Sequence, residues 1–198
     1  IMPHQLDIKI NNTCNLKCMM CNQYQSSQHA SEVKLMRKQD IQIPRWLDYI
    51  DNFLGDKTKP KKEKLAGHIK TLLPDISILL IEGGEPMTSP DLEEALDYCI
   101  ENGHTDKMVM FVTNLTVIPE GILEKLSKFR ETQLLISWDH DEAEHFKFIR
   151  YPANYNDFVN NFELLCKYPK IKVGISLAIS IFNAYDVPRL LDLSLIHI

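Results

Sequence analysis

The sequence SILLIEGGEPMTSPDLEEALDYCIEN, residues 77–102, passes from a strand pattern to a helix pattern within one short turn. Residues 78–81 are a continuous apolar run, which is typical of a strand buried on both faces of a parallel sheet. Over residues 91–102 the apolar side chains, such as Leu92 and Leu96, fall on one face of a helix. Gly103 suits the end of that helix. The segment therefore predicts a strand, a turn and a helix in succession.

The same alternation continues on both sides of this segment. Further strand patterns lie at residues 6–11, 108–113, 133–139 and 172–181, and helical patterns lie at about 122–129, 155–166 and 186–193. Because strands and helices alternate, we expect right-handed β–α–β units and one parallel sheet. A complete eight-unit barrel needs about 250 residues. The prediction is an α/β fold, either a partial (β/α) barrel or an open parallel sheet, and periodicity does not distinguish the two.

Composition and charge argue against two classes of binding partner. The 198 residues carry 22 Lys and Arg against 27 Asp and Glu, so the formal charge is 22 − 27 = −5. Nucleic-acid-binding domains are usually basic, so we expect no nucleic-acid partner. No apolar run approaches the roughly 20 residues that cross a bilayer, so we expect no membrane partner. Residues 39–73 contain the basic run KTKPKKEK and are interpreted as an insertion.

The cysteines are distributed unevenly. Three lie in the motif CNLKCMMC, at Cys14, Cys18 and Cys21, and the others are Cys99 and Cys166, which fall on apolar helix stripes and are predicted to be core residues. A disulfide framework would be denser and more evenly spread. With no signal peptide visible at residues 1–10, we expect a reducing, cytoplasmic location.

The motif CNLKCMMC indicates a metal centre. Thiolates bind soft metals, and close spacing lets one loop surround a single centre. Iron–sulfur clusters and structural zinc sites usually have four protein ligands. Three cysteines therefore either leave one coordination position open or recruit a distant fourth ligand such as His29, and both alternatives stay open at this point.

A second motif, Gly83-Gly84-Glu85-Pro86, follows the strand at residues 77–82. Two glycines permit a close backbone approach that other residues do not tolerate. Glu85 adds a carboxylate, and Pro86 stiffens the turn. Taken alone, the tetrapeptide also fits an ordinary turn between a strand and a helix.

Together, the two motifs resemble the radical SAM superfamily, whose members cleave S-adenosylmethionine (SAM) reductively. The likeness extends to residues that follow later strands, namely Asn114, Ser137, Asp139, Arg150 and Asn183. The likeness covers nearly the whole chain except residues 39–73. The sequence is most similar to the branch of the superfamily that carries a C-terminal twitch module. Each motif falls at the carboxyl end of a predicted strand, where α/β barrels build their active sites.

The resemblance implies that residues 1–198 are a radical SAM core domain of the partial-barrel type, incomplete and truncated before or at its sixth strand. It also implies a twitch module, but no cysteine follows Cys166, so we expect that module to be absent from this chain.

The resemblance also implies two cofactors. Cys14, Cys18 and Cys21 would hold three irons of a 4Fe–4S cluster, and SAM would chelate the fourth. The implied SAM-binding residues are Met20, Gly83, Gly84, Glu85, Pro86, Asn114, Ser137, Asp139 and Arg150. Among them, residues 83–85 would receive the SAM ammonium and Arg150 the carboxylate. Met20 stands where the family usually has an aromatic residue against the adenine.

The implied function is that of a radical SAM enzyme. One electron from a flavodoxin-like or ferredoxin-like donor of low potential would split SAM and give a 5′-deoxyadenosyl radical. That radical would abstract hydrogen from a peptide or small-molecule substrate. The alternative is a non-catalytic scaffold that keeps the fold and binds zinc or an iron–sulfur cluster. Residues 139–145, DHDEAEH, are interpreted as a solvated acidic loop, with His140 standing where many relatives have glycine.

Overall fold

The computed structural model describes residues 4–47, 49 and 72–197, so most of the predicted insertion at 39–73 lies outside the described residues. The strands are β1 (Gln5–Lys9), β2 (Ile78–Glu82), β3 (Met108–Thr113), β4 (Glu131–Ser137) and β5 (Ile171–Ser176). The helices are α1 (Ser27–Lys38), α2 (Pro90–Glu101), α3 (Ile122–Leu126), α4 (Ala143–Ile149), α5 (Tyr155–Leu165) and α6 (Val187–His197). Short 3-10 turns lie at Leu73–Asp75 and Pro86–Thr88.

The strand order separates the two predicted architectures. The described residues form a parallel sheet in the order β1-β2-β3-β4-β5, so every strand pairs with its neighbour in the chain. In a doubly wound open sheet the order reverses at a switch point. Right-handed crossovers in one continuous direction place all the connecting helices on the same face. The fold is therefore an α/β partial barrel.

The core lies between that face of the sheet and the helices. Alternate strand residues are almost completely buried, as Leu79, Val109, Phe111 and Leu134 illustrate. They belong to one cluster with side chains from α2, α3, α4 and α5. Burying each such side chain contributes about 1.5–3 kcal/mol, so this layer holds the sheet and with it the positions of the strand ends.

Several predicted boundaries were wrong, most clearly that of the fifth strand. The apolar run at 172–181 predicts ten strand residues, whereas β5 ends at Ser176. Beyond it, the Ala178 amide donates to the Asp139 carboxylate instead of to a strand, and Ile179 and Ile181 are exposed. A side-chain acceptor from the loop after β4 therefore replaces the sheet partner there.

Two other expectations also need correction. Cys166 follows α5 and is exposed, so it is not a core residue, whereas Cys99 in α2 is completely buried as predicted. Helix α1 is not predicted by the apolar pattern, because it buries only Val33. Within the described residues, no helix combines the length and the apolar character that crossing a bilayer requires.

Candidate functional site

The cysteine loop, residues 10–21, begins as an extension of the sheet. The Ile10 amide donates to the Glu82 carbonyl at 2.9 Å, and the Gly84 amide donates to the Asn11 carbonyl at 3.0 Å. The Glu85 amide then donates to the Thr13 carbonyl at 2.7 Å. The backbone of the GGEP turn thus holds the start of the cysteine loop at the carboxyl edge of β1 and β2.

This contact explains the glycine at position 84. A Cβ atom on Gly84 would lie 2.3 Å from the Thr13 carbonyl oxygen and 2.6 Å from that of Asn12. At Gly83 the nearest atom, the Asn11 carbonyl oxygen, would be 3.1 Å away. The close backbone approach expected of the two glycines is therefore made to the cysteine loop, and it is tightest at Gly84.

The far end of the cysteine loop is held by the segment that contains Arg150. The Lys17 amide donates to the Tyr151 carbonyl, and the Met19 amide donates to the Ile149 carbonyl at 2.9 Å. The Arg150 guanidinium donates through Nη1 to the Cys18 sulfur at 3.7 Å. Residues from the first motif and from the end of α4, far apart in sequence, are thus brought together.

Arg150 is buried against a carboxylate and is not the exposed ion pair of an ordinary surface arginine. Its Nε lies 2.7 Å from Asp139 Oδ2, and their side chains are 9% and 0% exposed. The other Asp139 oxygen accepts the Ala178 amide at 2.9 Å. Asn183 donates to the Asp139 carbonyl at 3.1 Å. Asp139 therefore fixes both the guanidinium and the loop after β5.

The positive charge of Arg150 also acts on the thiols of Cys18 and Cys21. Cys18 and Cys21 are hydrogen-bonded, which raises the pKa of the Cys18 thiol, helped by burial, and lowers the pKa of Cys21. The Arg150 charge favours the thiolate of both. Burial raises the pKa of the Cys14 thiol. The three sulfurs interact electrostatically, but they are not all within 4.8 Å of one another.

Glu85 is almost completely buried, and its carboxylate is occupied by the protein. Oε1 accepts the Met87 amide at 3.1 Å and the Thr113 hydroxyl at 2.8 Å, and Oε2 accepts the Asn114 amide at 2.6 Å. Burial raises the pKa of Glu85, and the hydrogen bonds partly oppose that effect. Glu85 therefore ties the end of β2 to the end of β3.

The remaining predicted residues lie around the same edge of the sheet. Asn114 follows β3 and donates to Asn15 Oδ1 at 3.0 Å, which links the end of β3 to the cysteine loop. Ser137 is the last residue of β4 and is 8% exposed. Pro86 is buried at the start of its 3-10 turn. Met20 is 39% exposed on the cysteine loop.

Residues 139–145 are solvated only in part: residues 142–145 are exposed as predicted, but Asp139 and His140 are buried. Asp139 and His140 are 0% and 1% exposed, because each has an oppositely charged or polar partner from a distant segment. From Ala143 onward the segment is helix α4. Sequence reasoning also missed Asn15 as a partner of Asn114, since no pattern links residues 99 positions apart.

His29 does not face the cysteine sulfurs through Nε2. That nitrogen lies 2.9 Å from the backbone carbonyl oxygen of Cys18. The site thus combines soft sulfur donors, one buried guanidinium and two buried carboxylates at one rim of the sheet. Such a set can bind a thiophilic metal centre and, through its fixed charges, a polar ligand beside it.

Two curated relatives come from Methanosarcina barkeri (strain Fusaro / DSM 804). An AdoMet-dependent heme synthase is 30% identical over 118 residues, and an Fe-coproporphyrin III synthase is 27% identical over 129 residues. The matches cover 59% and 63% of this chain but only 33% and 31% of the relatives. The aligned part therefore corresponds to about a third of those proteins.

Solved structures give the same fold. Streptococcus suis SuiB bound to S-adenosylmethionine has a TM-score of 0.55, and SuiB bound to its precursor peptide SuiA has a TM-score of 0.59. Each match has 15% sequence identity and covers 95% of this chain and 36% of the other. At that identity the likeness establishes the architecture and confirms the partial barrel.

The family model described as the Radical SAM superfamily matches residues 8–193. That range contains the cysteine loop, the GGEP turn, and both Asp139 and Arg150. The family supports the expectation of an enzyme, while the similarity to the twitch branch stays a prediction. Because the family model matches nearly the whole length of the chain, the chain belongs to the radical SAM superfamily.

Proposed function

We propose that this chain is the core of a radical SAM enzyme that holds a 4Fe–4S cluster on Cys14, Cys18 and Cys21. The observation that carries the proposal is the convergence of these three thiols at the carboxyl edge of the sheet, beside the buried charge of Arg150. A cluster held by three cysteines keeps one iron available to another ligand. When bound, the cluster and SAM supply reductive cleavage to a 5′-deoxyadenosyl radical, which abstracts hydrogen from a substrate.

The donor set fits a cluster better than a single zinc ion. A structural zinc ion usually takes four protein ligands. The motif supplies three sulfurs, and His29 Nε2 is directed to a carbonyl instead of completing such a set. A centre that needs only three protein ligands suits these donors. The alternative is a scaffold that binds zinc or a cluster but has no activity, and anaerobic reconstitution distinguishes it from the enzyme.

Arg150 has two tasks in this proposal. Its positive charge stabilises the thiolates that bind iron. Because Nε is paired with Asp139 and Nη1 with Cys18, Nη2 is the nitrogen that we assign to the SAM carboxylate. Asp139 is then a positioning residue that holds the guanidinium.

The GGEP turn positions the cysteine loop and borders the SAM site. We assign the ammonium of SAM to the backbone around Gly83 and Glu85, where the buried carboxylate contributes a negative potential. Asn114, Ser137 and Met20 are assigned to the ribose, methionine and adenine parts of SAM. Pro86 stiffens the turn. These assignments follow the family pattern and the common location of the residues at one edge.

The substrate and the electron donor are proposed only as chemical classes. The relatives are named for tetrapyrrole products, and SuiB was crystallised with a peptide. We propose a small-molecule or peptide substrate and a flavodoxin-like or ferredoxin-like donor of low potential.

The proposal is tested by anaerobic reconstitution with iron and sulfide. We expect about four irons per chain, a broad iron–sulfur absorption band, and 5′-deoxyadenosine after addition of SAM and dithionite. Cys18→Ala abolishes all three, whereas the matched control Cys166→Ala, an exposed cysteine outside the loop, keeps them. A band without deoxyadenosine favours the inactive scaffold, and the absence of a band overturns the cluster.

A further inference from the structure

A second group of metal-ligand side chains lies in the segment from the end of β4 to the first turn of α4, separate from the cysteine loop. One ligand atom from each of His140, Glu142 and His145 lies within 4.8 Å of the others. Two imidazoles and one carboxylate are the protein ligands of a well-known class of zinc site. The cysteines of the cluster proposal are not part of this group, so the inference does not rest on the proposed function.

The hydrogen bonds assign the tautomer of His140. Its Nδ1 accepts the backbone amide of Glu142 at 3.0 Å, so Nε2 carries the proton and donates to Asp186 Oδ2 at 3.2 Å. Metal-binding histidines usually donate their second ring nitrogen to a carboxylate in this way, which fixes the ring and increases its basicity. The ring of His140 is therefore already oriented, with its Nδ1 lone pair on the backbone amide of Glu142.

The charges around this group are not balanced. Arg189 lies 2.8 Å from Asp141, 2.9 Å from Asp186 and 3.5 Å from Glu142. Three carboxylates share this one guanidinium, which gives a formal charge of −3 + 1 = −2 when both imidazoles are neutral. Once Arg189 moves away the excess is −3, and a divalent cation offsets most of it.

We propose that His140 Nδ1, the Glu142 carboxylate and the His145 ring bind a divalent transition-metal ion of the zinc class. Asp141 Oδ1 lies 3.7 Å from His140 Nδ1 but outside the group whose ligand atoms are all within 4.8 Å, so a water molecule would take the fourth position. The metal replaces the amide hydrogen bond on Nδ1 and displaces Arg189 from the carboxylates. It fastens the loop after β4 to Asp186, at the start of α6.

The two groups that must move are both accessible. The His145 ring is stacked on that of His140, with centroids 4.5 Å apart and 19° between the planes, so it has to turn to share an ion. Its side chain is 57% exposed, which leaves room for that rotation. Arg189 is 44% exposed and can swing into solvent.

The test is a cobalt titration followed by equilibrium dialysis and absorption. Cobalt on the cysteines gives thiolate-to-metal charge-transfer bands, whereas cobalt on nitrogen and oxygen ligands gives only weak visible bands. We expect His145→Ala and Glu142→Gln to weaken one equivalent of binding by about 10–100-fold without changing the thiolate bands. His4→Ala, which removes an exposed histidine elsewhere, is the matched control and leaves binding unchanged.

A second readout uses the neighbouring indole. Trp138 Nε1 donates to the His140 carbonyl at 2.8 Å, so in a Trp46→Phe background the bound cobalt quenches Trp138. Arg189→Gln removes the competing cation and should tighten binding about tenfold. The proposal is overturned if His145→Ala binds cobalt as the parent protein does, if Arg189→Gln weakens binding, or if all bound cobalt shows thiolate bands.

Discussion

Replacing Gly84 by alanine should push the cysteine loop away from the GGEP turn that holds it. The added Cβ would lie 2.3 Å from the Thr13 carbonyl oxygen, whereas ordinary contacts begin at 3.4 Å, so the two backbones must separate by about 1.1 Å. Such overpacking costs about 1–3 kcal/mol. The separation also breaks the amide hydrogen bonds from Gly84 to Asn11 and from Glu85 to Thr13, at about 1 kcal/mol each.

The expected loss in the free energy of unfolding is therefore about 3–5 kcal/mol. With a urea dependence of about 2 kcal/mol per molar, the unfolding midpoint followed by circular dichroism should fall by about 2 M. Iron uptake by the cysteine loop should fall in the same variant, because the loop no longer has a fixed path.

Gly83→Ala is the matched control. There the nearest atoms would be 3.1 and 3.2 Å away, and a shift of a few tenths of an ångström accommodates them. We expect that variant to lose about 1 kcal/mol at most. If the two variants unfold within about 0.5 kcal/mol of each other, the backbone contact at Gly84 does not hold the loop as argued.

Further tests address the buried pair, the thiols and the loop after β5. Arg150→Met should lower the free energy of unfolding in urea by about 3–5 kcal/mol, because it leaves the buried Asp139 carboxylate without a partner. Adding Asp139→Asn should recover part of the loss, and additive losses would contradict the pairing. Cys18→Ala in the metal-free protein should raise the pKa of Cys21, because a hydrogen bond that stabilises the thiolate is lost. The alkylation profile of Cys21, read by peptide mass spectrometry, should then move to higher pH, and an unmoved profile would reject that bond. Asn183→Ala removes four side-chain hydrogen bonds, two with Ser180 and one each with Ala178 and Asp139, and should cost about 3–4 kcal/mol in the same unfolding assay, whereas a loss below 1 kcal/mol would show that the network is dispensable.

The sequence was sufficient for the elements whose pattern is set by burial. Strand β3 has the predicted bounds, Met108–Thr113, and α2 differs from the predicted helix by one residue at each end. Both contribute to a layered core, so apolar periodicity reports them directly. Helix α1 buries only Val33 and gives no such signal.

The site was predictable as a set of positions but not as a set of contacts. The motifs placed Cys18, Glu85 and Asp139 at one edge because parallel strands all end there, whereas Arg150 was expected from the family resemblance alone. Periodicity carries no information about which side chains pair across that edge. The carboxylate of Glu85 binds the end of β3, and Asp139 binds Arg150, through partners that lie far away in the sequence. The same reason hid the burial of His140.

Residues 17–19 are held by backbone hydrogen bonds, so their side chains can change without loss of these contacts. The amides of Lys17 and Met19 fix the chain, while the side chains of Met19 and Met20 are 47% and 39% exposed. Their identity is therefore independent of the path that carries the sulfurs. Substitutions at these two positions can change this exposed surface, and at Met20 the proposed adenine contact, without altering the backbone hydrogen bonds that hold the cysteine loop.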